Sequence, residues 1–333
     1  MDFVTASYRI ILAMLKALWP SSLIKPLRRK RANSFKPVIL LTGCGSGLGY
    51  ATAEALAAIQ EYRLVITARA RSMEFLRAKF PESSRLVVRE LDVTKEEQRI
   101  KLCSEIFEMW GGVDILVNNA GVSYRAVVEH MTEADELHQM ATNYIGPMGL
   151  IRLVIGQMRN KGRGKIINIS SVSGMLAMPT MASYSASKHA LEGASEALWY
   201  EMKPLGVDVC LIQPGFINSN SFFNVSYTKA SQQSEMGHEV YSDYYQNMSP
   251  FVEKMMRRSP ITPERIARTV ISVIRTENPP LWIPATPDAV VFYYLRRLLP
   301  RRWLLPFLFY CLPHADKWAK DYTHRRGSKN MFS

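Results

Sequence analysis

A tyrosine and a lysine four positions apart are the residues of this chain whose types and spacing best suit proton transfer. Tyr184 and Lys188 enclose the run Ser-Ala-Ser, and Ser171 precedes the tyrosine by thirteen positions. In a helix, residues i and i+4 share a face, so the ammonium would lie beside the phenol. A phenol titrates near about 10, and a fixed neighbouring cation lowers that pKa. The pattern predicts an acid–base tyrosine and a serine that orients the substrate oxygen, although the pair alone also fits a solvated helix face.

The element that would hold a nucleotide is a glycine-rich turn between an apolar run and a helix-forming run. Residues 38–41 have the pattern of a buried parallel strand, and residues 51–58 are strong helix formers. The glycines between them, Gly43, Gly47 and Gly49, let the backbone approach a diphosphate that a helix N-terminus attracts. Their spacing is G-x-x-x-G-x-G, and a glycine cluster alone also fits a plain loop. With a strand before it and a helix after it, we expect this turn to bind a nucleotide.

A basic residue marks the point where the ribose of that nucleotide is expected. The next apolar run, residues 64–68, predicts a second strand, and Arg69 and Arg71 follow it. The residue about 20 places past the glycine turn normally meets the adenosine ribose. Arginine suits a 2′-phosphate, whereas an acidic residue would bond a free 2′-hydroxyl, and Ser46 offers one more donor. NADP(H) is therefore favoured over NAD(H), and the alternative is that Arg69 is a solvated loop charge.

Seven motifs, in the right order and at the right separations, make the chain resemble the short-chain dehydrogenase/reductase family from about Pro37 to Asp288. The resemblance implies an α/β fold, Rossmann-like and doubly wound, with a seven-stranded parallel sheet and helices on both faces. We expect a catalytic domain over residues 37–288, between extensions at 1–36 and 289–333. The motifs are Thr42-Gly43-x-x-x-Gly47-x-Gly49, Asp92-Val93, Asn118-Asn119-Ala120-Gly121, Asn143-x-x-Gly146, Ser171, Tyr184-x-x-x-Lys188 and Pro214-Gly215.

The resemblance also implies a catalytic quartet. It would consist of Asn143, Ser171, Tyr184 and Lys188, all of which are present. Asn143 would hold a water that relays protons to Lys188. Because every position of the quartet is filled, we expect an active enzyme.

Further residues are implied to contact the cofactor. Asp92 and Val93 would contact the adenine, and Asn118 would line the cleft. Ser219 stands where the family usually has threonine and keeps the hydroxyl that would bond the nicotinamide carboxamide. The expected cofactor-binding positions are Thr42, Gly43, Gly45, Ser46, Gly47, Leu48, Gly49, Arg69, Asp92, Val93, Asn118, Ala120, Gly121, Tyr184, Lys188, Pro214, Gly215, Ile217 and Ser219.

Positive charge is concentrated at the two ends of the chain, which are also apolar. The net charge is +13, of which residues 1–37 carry +7, residues 289–333 carry +7 and the middle carries −1. A basic protein invites a nucleic-acid partner, but charge confined to apolar ends fits an anionic membrane surface better. We therefore expect membrane contact through both termini and no nucleic-acid binding.

The N-terminal arm, residues 1–36, has the composition of an interfacial amphipathic helix. It lacks a run of about 18 uncharged residues, and Lys16 in mid-segment would cost roughly 2.5–3.5 kcal/mol at the bilayer centre. Trp19 would lie at headgroup level, beside a basic cluster that binds anionic lipid. The alternatives are a disordered arm and a helix docked on the protein itself.

The C-terminal extension, residues 289–333, alternates arginine pairs with large aromatic runs. Pro300, Pro306 and Pro313 would break any long helix, so a membrane span is not expected. Apolar surface of this size, if exposed, marks a membrane or partner contact. The two ends together predict a peripheral or monotopic protein on a cytosol-facing membrane surface. The alternatives are that these side chains complete the core or form the seam of a homodimer.

The segment before the extension has the composition of a substrate lid. Residues 219–261 are rich in aromatic and methionine side chains, which suit a long or polycyclic apolar ligand or ordinary lid packing. In the family, Met175, Met178 and Met181 would form part of the substrate wall. The four cysteines are scattered and the histidines show no ligand spacing, so we expect a reducing compartment and no metal site.

The sequence as a whole predicts an NADP(H)-dependent oxidoreductase that interconverts a ketone or aldehyde and an alcohol on a lipophilic substrate. The surroundings of Ser171 and the long tail resemble the hydroxysteroid and retinol dehydrogenase branch of the family. Among enzymes, the alternative is a 3-ketosphinganine-type or fatty-chain carbonyl reductase. Outside enzymes, the alternative is a non-catalytic NADP(H)-binding membrane scaffold, against which the filled quartet argues.

Overall fold

A parallel seven-stranded sheet forms the centre of the chain. The computed structural model describes residues 36–219, 225–237 and 240–318. Its strands are β1 (Val38–Leu41), β2 (Arg63–Ala68), β3 (Leu86–Glu90), β4 (Ile115–Asn118), β5 (Gly164–Ile169), β6 (Val207–Gln213) and β7 (Trp282–Pro284). Their order is β3-β2-β1-β4-β5-β6-β7, which confirms the predicted doubly wound fold. The order reverses between β1 and β4, so their carboxyl ends open the crevice in which such folds bind ligands.

Helices connect the strands and continue beyond them. They are α1 (Gly47–Ala57), α2 (Met73–Lys79), α3 (Glu96–Trp110), α4 (Glu133–Met140), α5 (Gly146–Asn160), α6 (Ala182–Met202), α7 (Lys229–Met236), α8 (Ser242–Arg258), α9 (Pro263–Arg275), α10 (Pro287–Leu298) and α11 (Arg301–Cys311). One π-helical turn, Ala141–Ile145, joins α4 to α5. Among the described helices, none has the length and apolar character that a membrane crossing needs.

The sheet is buried on both faces, which explains why its strands read as continuous apolar runs. Ile39 of β1 packs in a cluster with Leu56 of α1 and Ile266 of α9. Its neighbour Leu40 points to the other face and packs with Leu150 of α5. Burial of such side chains stabilises the fold by about 25 cal/mol per Å² of apolar surface, and it fixes the carboxyl edge of the sheet.

The C-terminal extension packs on the catalytic domain and is described as far as Trp318. The predicted boundary at residue 288 falls in the first turn of α10, and Leu304 of α11 is buried against Val172, next to Ser171. Pro300 separates α10 from α11, whereas Pro306 lies inside α11 without ending it. A proline removes one backbone hydrogen bond, which a helix packed on the core tolerates at that position. Except for Lys36, the predicted N-terminal arm lies outside the described residues, as do residues 319–333.

Candidate active site

Tyr184 and Lys188 lie one turn apart on α6, with the amine near the face of the phenol ring. Lys188 Nζ is 5.8 Å from the centre of the Tyr184 ring. The Ser171 hydroxyl, which follows the end of β5, lies close enough to the phenol to lower its pKa by a hydrogen-bonding interaction. The carboxyl end of β5 and the first turns of α6 therefore bring the three residues together at the edge of the sheet where ligands are expected.

Burial acts on the ionisation of both α6 side chains. It raises the pKa of the Tyr184 phenol, and the hydrogen bond with Ser171 opposes that rise. Burial lowers the pKa of Lys188 to about 8, against the opposing charge of Glu192. Lys188 Nζ also donates a hydrogen bond of 2.9 Å to the Ile169 carbonyl oxygen, which fixes the ammonium at the end of β5. The sequence predicted a Tyr184 pKa lowered by Lys188, whereas the structure gives a raised pKa because burial is the main influence on the phenol.

Glu192 is a site neighbour that the sequence reasoning missed. It lies one turn after Lys188 on α6, where it accepts hydrogen bonds from Ser170 Oγ at 2.6 Å and from Gln213 Nε2 at 2.9 Å. Burial raises the pKa of the Glu192 carboxyl, and those two hydrogen bonds and the charges of His189 and Lys188 oppose the rise. The sequence feature that could have revealed Glu192 is its i+4 spacing from Lys188, which places both side chains on one face of a helix.

Asn143 lies in the π-helical turn before α5 and is buried. Its Nδ2 donates to the Val122 carbonyl oxygen and to Ser187 Oγ, both at 2.9 Å, and its Oδ1 accepts from the Val122 N–H at 2.8 Å. A methyl group on Gly121 would lie 3.3 Å from Asn143 Oδ1 and 3.8 Å from Lys188 Nζ, so the three residues are neighbours. Asn143 of the predicted quartet therefore lies beside Lys188, and the proton-relay role of Asn143 stays a prediction.

The glycine turn begins α1 earlier than the sequence predicted. The helix starts at Gly47 and not at residue 51. Ser46 before it has an extended backbone, and Gly47 has a positive φ of 55°, which glycine adopts without strain. Gly49 lies in the first turn, where a methyl group would collide with the carbonyl of Gly43. Ser46 is exposed at the N-terminus of α1. The unpaired N–H groups of this first turn are the donors that a diphosphate would use.

Asn119 holds the glycine turn in place, a role that the sequence reasoning did not assign. Its Nδ2 donates to the carbonyl oxygens of Thr42 and Gly43 at 2.9 and 3.1 Å. The Thr42 hydroxyl in turn accepts from the N–H groups of Asn119 and Ala120, both at 3.0 Å. Gly43 has a φ of 72°, and a methyl group there would lie 2.6 Å from the Ala120 Cα atom. Only glycine fits this contact, so the ends of β1 and β4 form one rigid unit.

Arg69 and Asp92 lie near each other at the expected adenosine end. Arg69 is exposed at the end of β2, and Asp92 follows β3. Burial raises the pKa of Asp92, but hydrogen bonds from Thr94 and the charges of Arg69 and Lys95 bring it below its ordinary value. Val93, the predicted adenine contact next to Asp92, is buried in the core.

Asn118 ends β4 and belongs to a buried chain of amides. Its Nδ2 donates to Asn168 Oδ1 at 2.8 Å, and Asn168 Nδ2 donates to Ser195 Oγ at 2.9 Å. Within the described part of the chain, Asn118 Oδ1 has no hydrogen-bond partner. That oxygen is therefore an acceptor that a bound group could satisfy.

The turn after β6 is held by the start of α10, which the sequence reasoning did not predict. Thr286 Oγ1 accepts from the Gly215 N–H, and Asp288 Oδ2 accepts from the Phe216 N–H, both at 2.9 Å. A methyl group on Gly215 would collide with the Asp288 carboxylate. Burial raises the pKa of Asp288, and its hydrogen bonds, among them those from Thr286 and the Phe216 N–H, oppose the rise. The start of α10 therefore sets the shape of a turn expected to lie at the nicotinamide.

The same turn is also bound to the segment that carries Ser171. The Pro214 carbonyl oxygen accepts from the Val172 N–H at 2.8 Å. Ile217 and Leu48 each pack on the same core cluster, while Ser219 is half-buried, at the edge of the described residues. The predicted cofactor contacts of Leu48, Ile217 and Ser219 each stay a prediction.

The expected lid contains α7 and α8. Met178 packs with Met248 of α8, whereas Met175 is buried against Leu304 of α11. Phe222 and Phe223, two of the predicted apolar lid residues, lie outside the described residues. The methionines between Ser171 and Tyr184 therefore contact both the lid and the C-terminal extension.

A doubly wound parallel sheet with a glycine turn and a Ser–Tyr–Lys group at its carboxyl edge defines a nucleotide-dependent oxidoreductase. Residues 37–230 match the family model described as short chain dehydrogenase, and the chain belongs to this family. Proteins with this fold bind nicotinamide cofactors, and solved structures that share it hold NAD in one case and NADP in another.

The chain is similar over most of its length to other members of this family. It is 33% identical over 256 residues to a 3-ketodihydrosphingosine reductase of Bacteroides thetaiotaomicron, covering 77% of this chain and 90% of that protein. It is 30% identical over 312 residues to dehydrogenase/reductase SDR family member 7B of Xenopus tropicalis, covering 90% and 94%. A short-chain dehydrogenase structure from Streptomyces avermitilis superposes with a TM-score of 0.67 at 30% identity, covering 79% of this chain and 92% of the other.

Proposed function

We propose that this protein is an NADP(H)-dependent oxidoreductase that interconverts a carbonyl group and an alcohol on a lipophilic substrate. The observation that carries the proposal is the placement of the Tyr184 phenol beside the Ser171 hydroxyl, with the Lys188 amine 5.8 Å from the phenol ring centre. When bound, the nicotinamide supplies hydride for reduction or accepts it for oxidation. In reduction, Ser171 donates a hydrogen bond to the substrate oxygen and Tyr184 transfers its proton to that oxygen. The positive charge of Lys188 stabilises the phenolate that remains.

Replacing Tyr184 with phenylalanine tests this assignment. Tyr184→Phe removes only the hydroxyl, so we expect kcat to fall by at least about 100-fold while NADPH binding is retained. Tyr200→Phe provides the matched control, because Tyr200 lies on the same helix and is exposed. Both variants are measured for NADPH oxidation and for NADPH affinity by fluorescence titration. Full turnover in Tyr184→Phe would falsify the assigned role.

The preference for NADP(H) is supported by the residues that follow β2. Arg69 and Arg71 are both exposed there, and the Ala-Arg-Ala-Arg sequence contains no carboxylate to bond a free 2′-hydroxyl. Gly45 of the glycine turn lies directly against the Ser72 hydroxyl, so a second polar group adjoins the two arginines. Exposed guanidinium groups beside a hydroxyl suit a 2′-phosphate.

A lipophilic substrate is supported by the apolar residues around the catalytic segments. Met178, between Ser171 and Tyr184, packs on the same buried cluster as Tyr244 and Phe251 of α8. One relative bears the name 3-ketodihydrosphingosine reductase, which makes a long-chain keto lipid the second candidate beside a steroid or retinoid. Turnover of a panel of 3-ketosphinganine, steroids and retinoids with NADPH and with NADH separates these candidates. A preference for the small water-soluble ketone acetone over the whole panel would reject a lipophilic substrate.

Peripheral membrane binding through the C-terminal extension is a part of the proposal. Trp303 and Leu305 of α11 are 58% and 59% exposed, and Arg301 and Arg302 are exposed beside them. Apolar side chains next to arginines fit the headgroup region of an anionic leaflet. An α-helix rises about 1.5 Å per residue, so an isolated α11 is far shorter than a bilayer core of about 30 Å. We propose that α11 lies along a cytosol-facing membrane surface, together with the N-terminal arm.

A further inference from the structure

The segment after α11, residues 312–318, packs on the lid helix and is called the C-terminal strap here. The Trp318 ring centre lies 4.6 Å from that of Tyr244 in α8 and 6.2 Å from that of Phe309 in α11. Trp318 is 9% exposed, and its Nε1 donates to the Pro313 carbonyl oxygen at 3.1 Å. The indole is thus fixed in orientation, with its apolar faces turned to the lid and the extension.

The cluster that contains Trp318 reaches the catalytic segments. Met248 and Val252 of α8 are its buried members beside Trp318, and Met178 and Phe216 pack against it. Met178 lies between Ser171 and Tyr184 in the sequence, and Phe216 follows the turn that Asp288 holds. An unbroken set of apolar side chains therefore joins the strap to the residues that flank the reacting groups.

The partial exposure of its side chains distinguishes this cluster from a closed hydrophobic core. Met178, Phe216, Tyr244 and Phe251 are all only half-buried, although each packs on the buried Met248–Trp318 centre. A sealed core would bury such large side chains fully. Partly exposed aromatic and methionine side chains beside a catalytic loop have the character of a site for an apolar ligand.

We propose that the C-terminal strap forms the outer wall of the site for the apolar part of the substrate, and that Trp318 sets how large an apolar group is accepted. This inference rests on the proposed function and identifies the residue that selects its substrates. Trp318 contacts substrate carbon atoms remote from the carbonyl, so it affects long substrates and leaves short ones unaffected. Removing an apolar contact from such a site costs about tenfold in affinity.

The test compares a short and a long ketone in the full-length protein. The KM and kcat for 2-hexanone and 2-dodecanone are measured with NADPH and with NADH for the wild type, Trp318→Ala and Trp318→Phe. We expect Trp318→Ala to raise the KM for 2-dodecanone about tenfold without changing the KM for 2-hexanone. In Trp318→Phe, the KM for 2-dodecanone should return to near the wild-type value. Trp303→Ala is the matched control, because Trp303 lies on α11 of the same extension but is exposed. It should change neither KM when no membrane is present.

Several outcomes would overturn the proposal. Equal changes in both KM values, no change in either, or the same effect in Trp303→Ala would each show that Trp318 does not select for chain length. If Trp318→Ala does not fold, Trp318→Leu takes its place, since leucine keeps an apolar but smaller side chain.

A binding measurement separates this inference from the proposed function. Displacement of the dye Nile red by 2-dodecanone reports the apolar site without turnover. If the wild type reduces neither ketone, the catalytic proposal loses support for such substrates. Weaker displacement of Nile red by 2-dodecanone in Trp318→Ala would still support the C-terminal strap as the outer wall of the apolar site. Equal displacement by the wild type and Trp318→Ala rejects the wall.

Discussion

Lys188 is a buried amine whose ionisation is coupled to the stability of the fold. Its pKa falls from an ordinary 10.5 to about 8 in the folded protein, chiefly through burial. Below pH 8 the amine is charged in both the folded and unfolded states, so the full cost of burying the charge is present. As the pH rises from 8 to 10.5, the folded form loses its proton first and that cost disappears.

This coupling gives a pH-dependent prediction for Lys188→Met. In the absence of cofactor, the variant should gain the most stability relative to wild type at pH 7, where it avoids burying the charge. This gain in the free energy of unfolding should decrease toward pH 10. Urea unfolding at both pH values measures it, with Lys101→Met on the exposed side of α3 as the surface baseline. A difference that stays constant with pH would show that Lys188 is not the group that titrates. Activity should be lost in Lys188→Met at either pH.

Arg69 gives a prediction about cofactor choice. Arg69→Asp replaces a cation suited to a 2′-phosphate with an anion suited to a free 2′-hydroxyl. We expect the KM for NADPH to rise about 10- to 100-fold, the range for loss of a charge-assisted hydrogen bond, and the KM for NADH to fall. Arg77→Asp on α2 makes the same charge change at an exposed position away from the crevice. Matching effects of the two variants would mean that only the overall charge matters.

The residues predictable from sequence were those whose chemistry shows in type and local spacing. Tyr184 and Lys188 are one helical turn apart, and the glycines of the glycine-rich turn lie close together in the chain. Short-range geometry was therefore sufficient to predict both groups. Asn119 lies within a motif, but its bond to Gly43 spans 76 positions and only the fold creates it. The ionisation of Tyr184 was not predictable either, because burial raises the pKa of the phenol and no local pattern in the sequence marks that burial.

At the scale of elements, α10 acts as a clamp on the turn after β6. Asp288→Ala would leave the partly buried Phe216 N–H without its acceptor, which costs about 1–3 kcal/mol of stability. The loosened turn should also raise the KM for the nicotinamide cofactor. Urea unfolding and cofactor titration measure the two effects, and Asp288→Asn, which keeps an acceptor oxygen, should recover most of both. Loss of stability without any change in cofactor KM would limit Asp288 to a structural role.

The strands were predictable because buried parallel strands are continuous apolar runs, as in β1 and β2. The start of α1 was not, since glycines are poor helix formers and Gly47, its first residue, has a positive φ of 55°. The clamp on Gly215 was also missed. It joins residues 71 positions apart, and no local pattern in the sequence marks such a contact.

At the scale of the whole molecule, the outward side of the C-terminal extension is the described surface best suited to a bilayer. Leu305→Glu should lower partition onto vesicles of anionic lipid by at least about tenfold, because it places a charge among apolar contacts. Leu137→Glu on α4 is the matched control, since Leu137 is 61% exposed and Leu305 is 59% exposed. Vesicle co-sedimentation at low and high salt measures both. If Leu305→Glu instead shifts the sedimentation coefficient in solution without lipid, the surface is a homodimer seam.

The clamp of α10 on Gly215 has a consequence for the order in which the protein matures on the ribosome. Domains fold from the N-terminal side while synthesis proceeds at about 5–20 residues per second. The β1–β4 half emerges well before Thr286 and Asp288, which are the acceptors for the Gly215 and Phe216 N–H groups. A nascent chain can therefore assemble the dinucleotide crevice first, while competence for hydride transfer awaits translation of the start of α10.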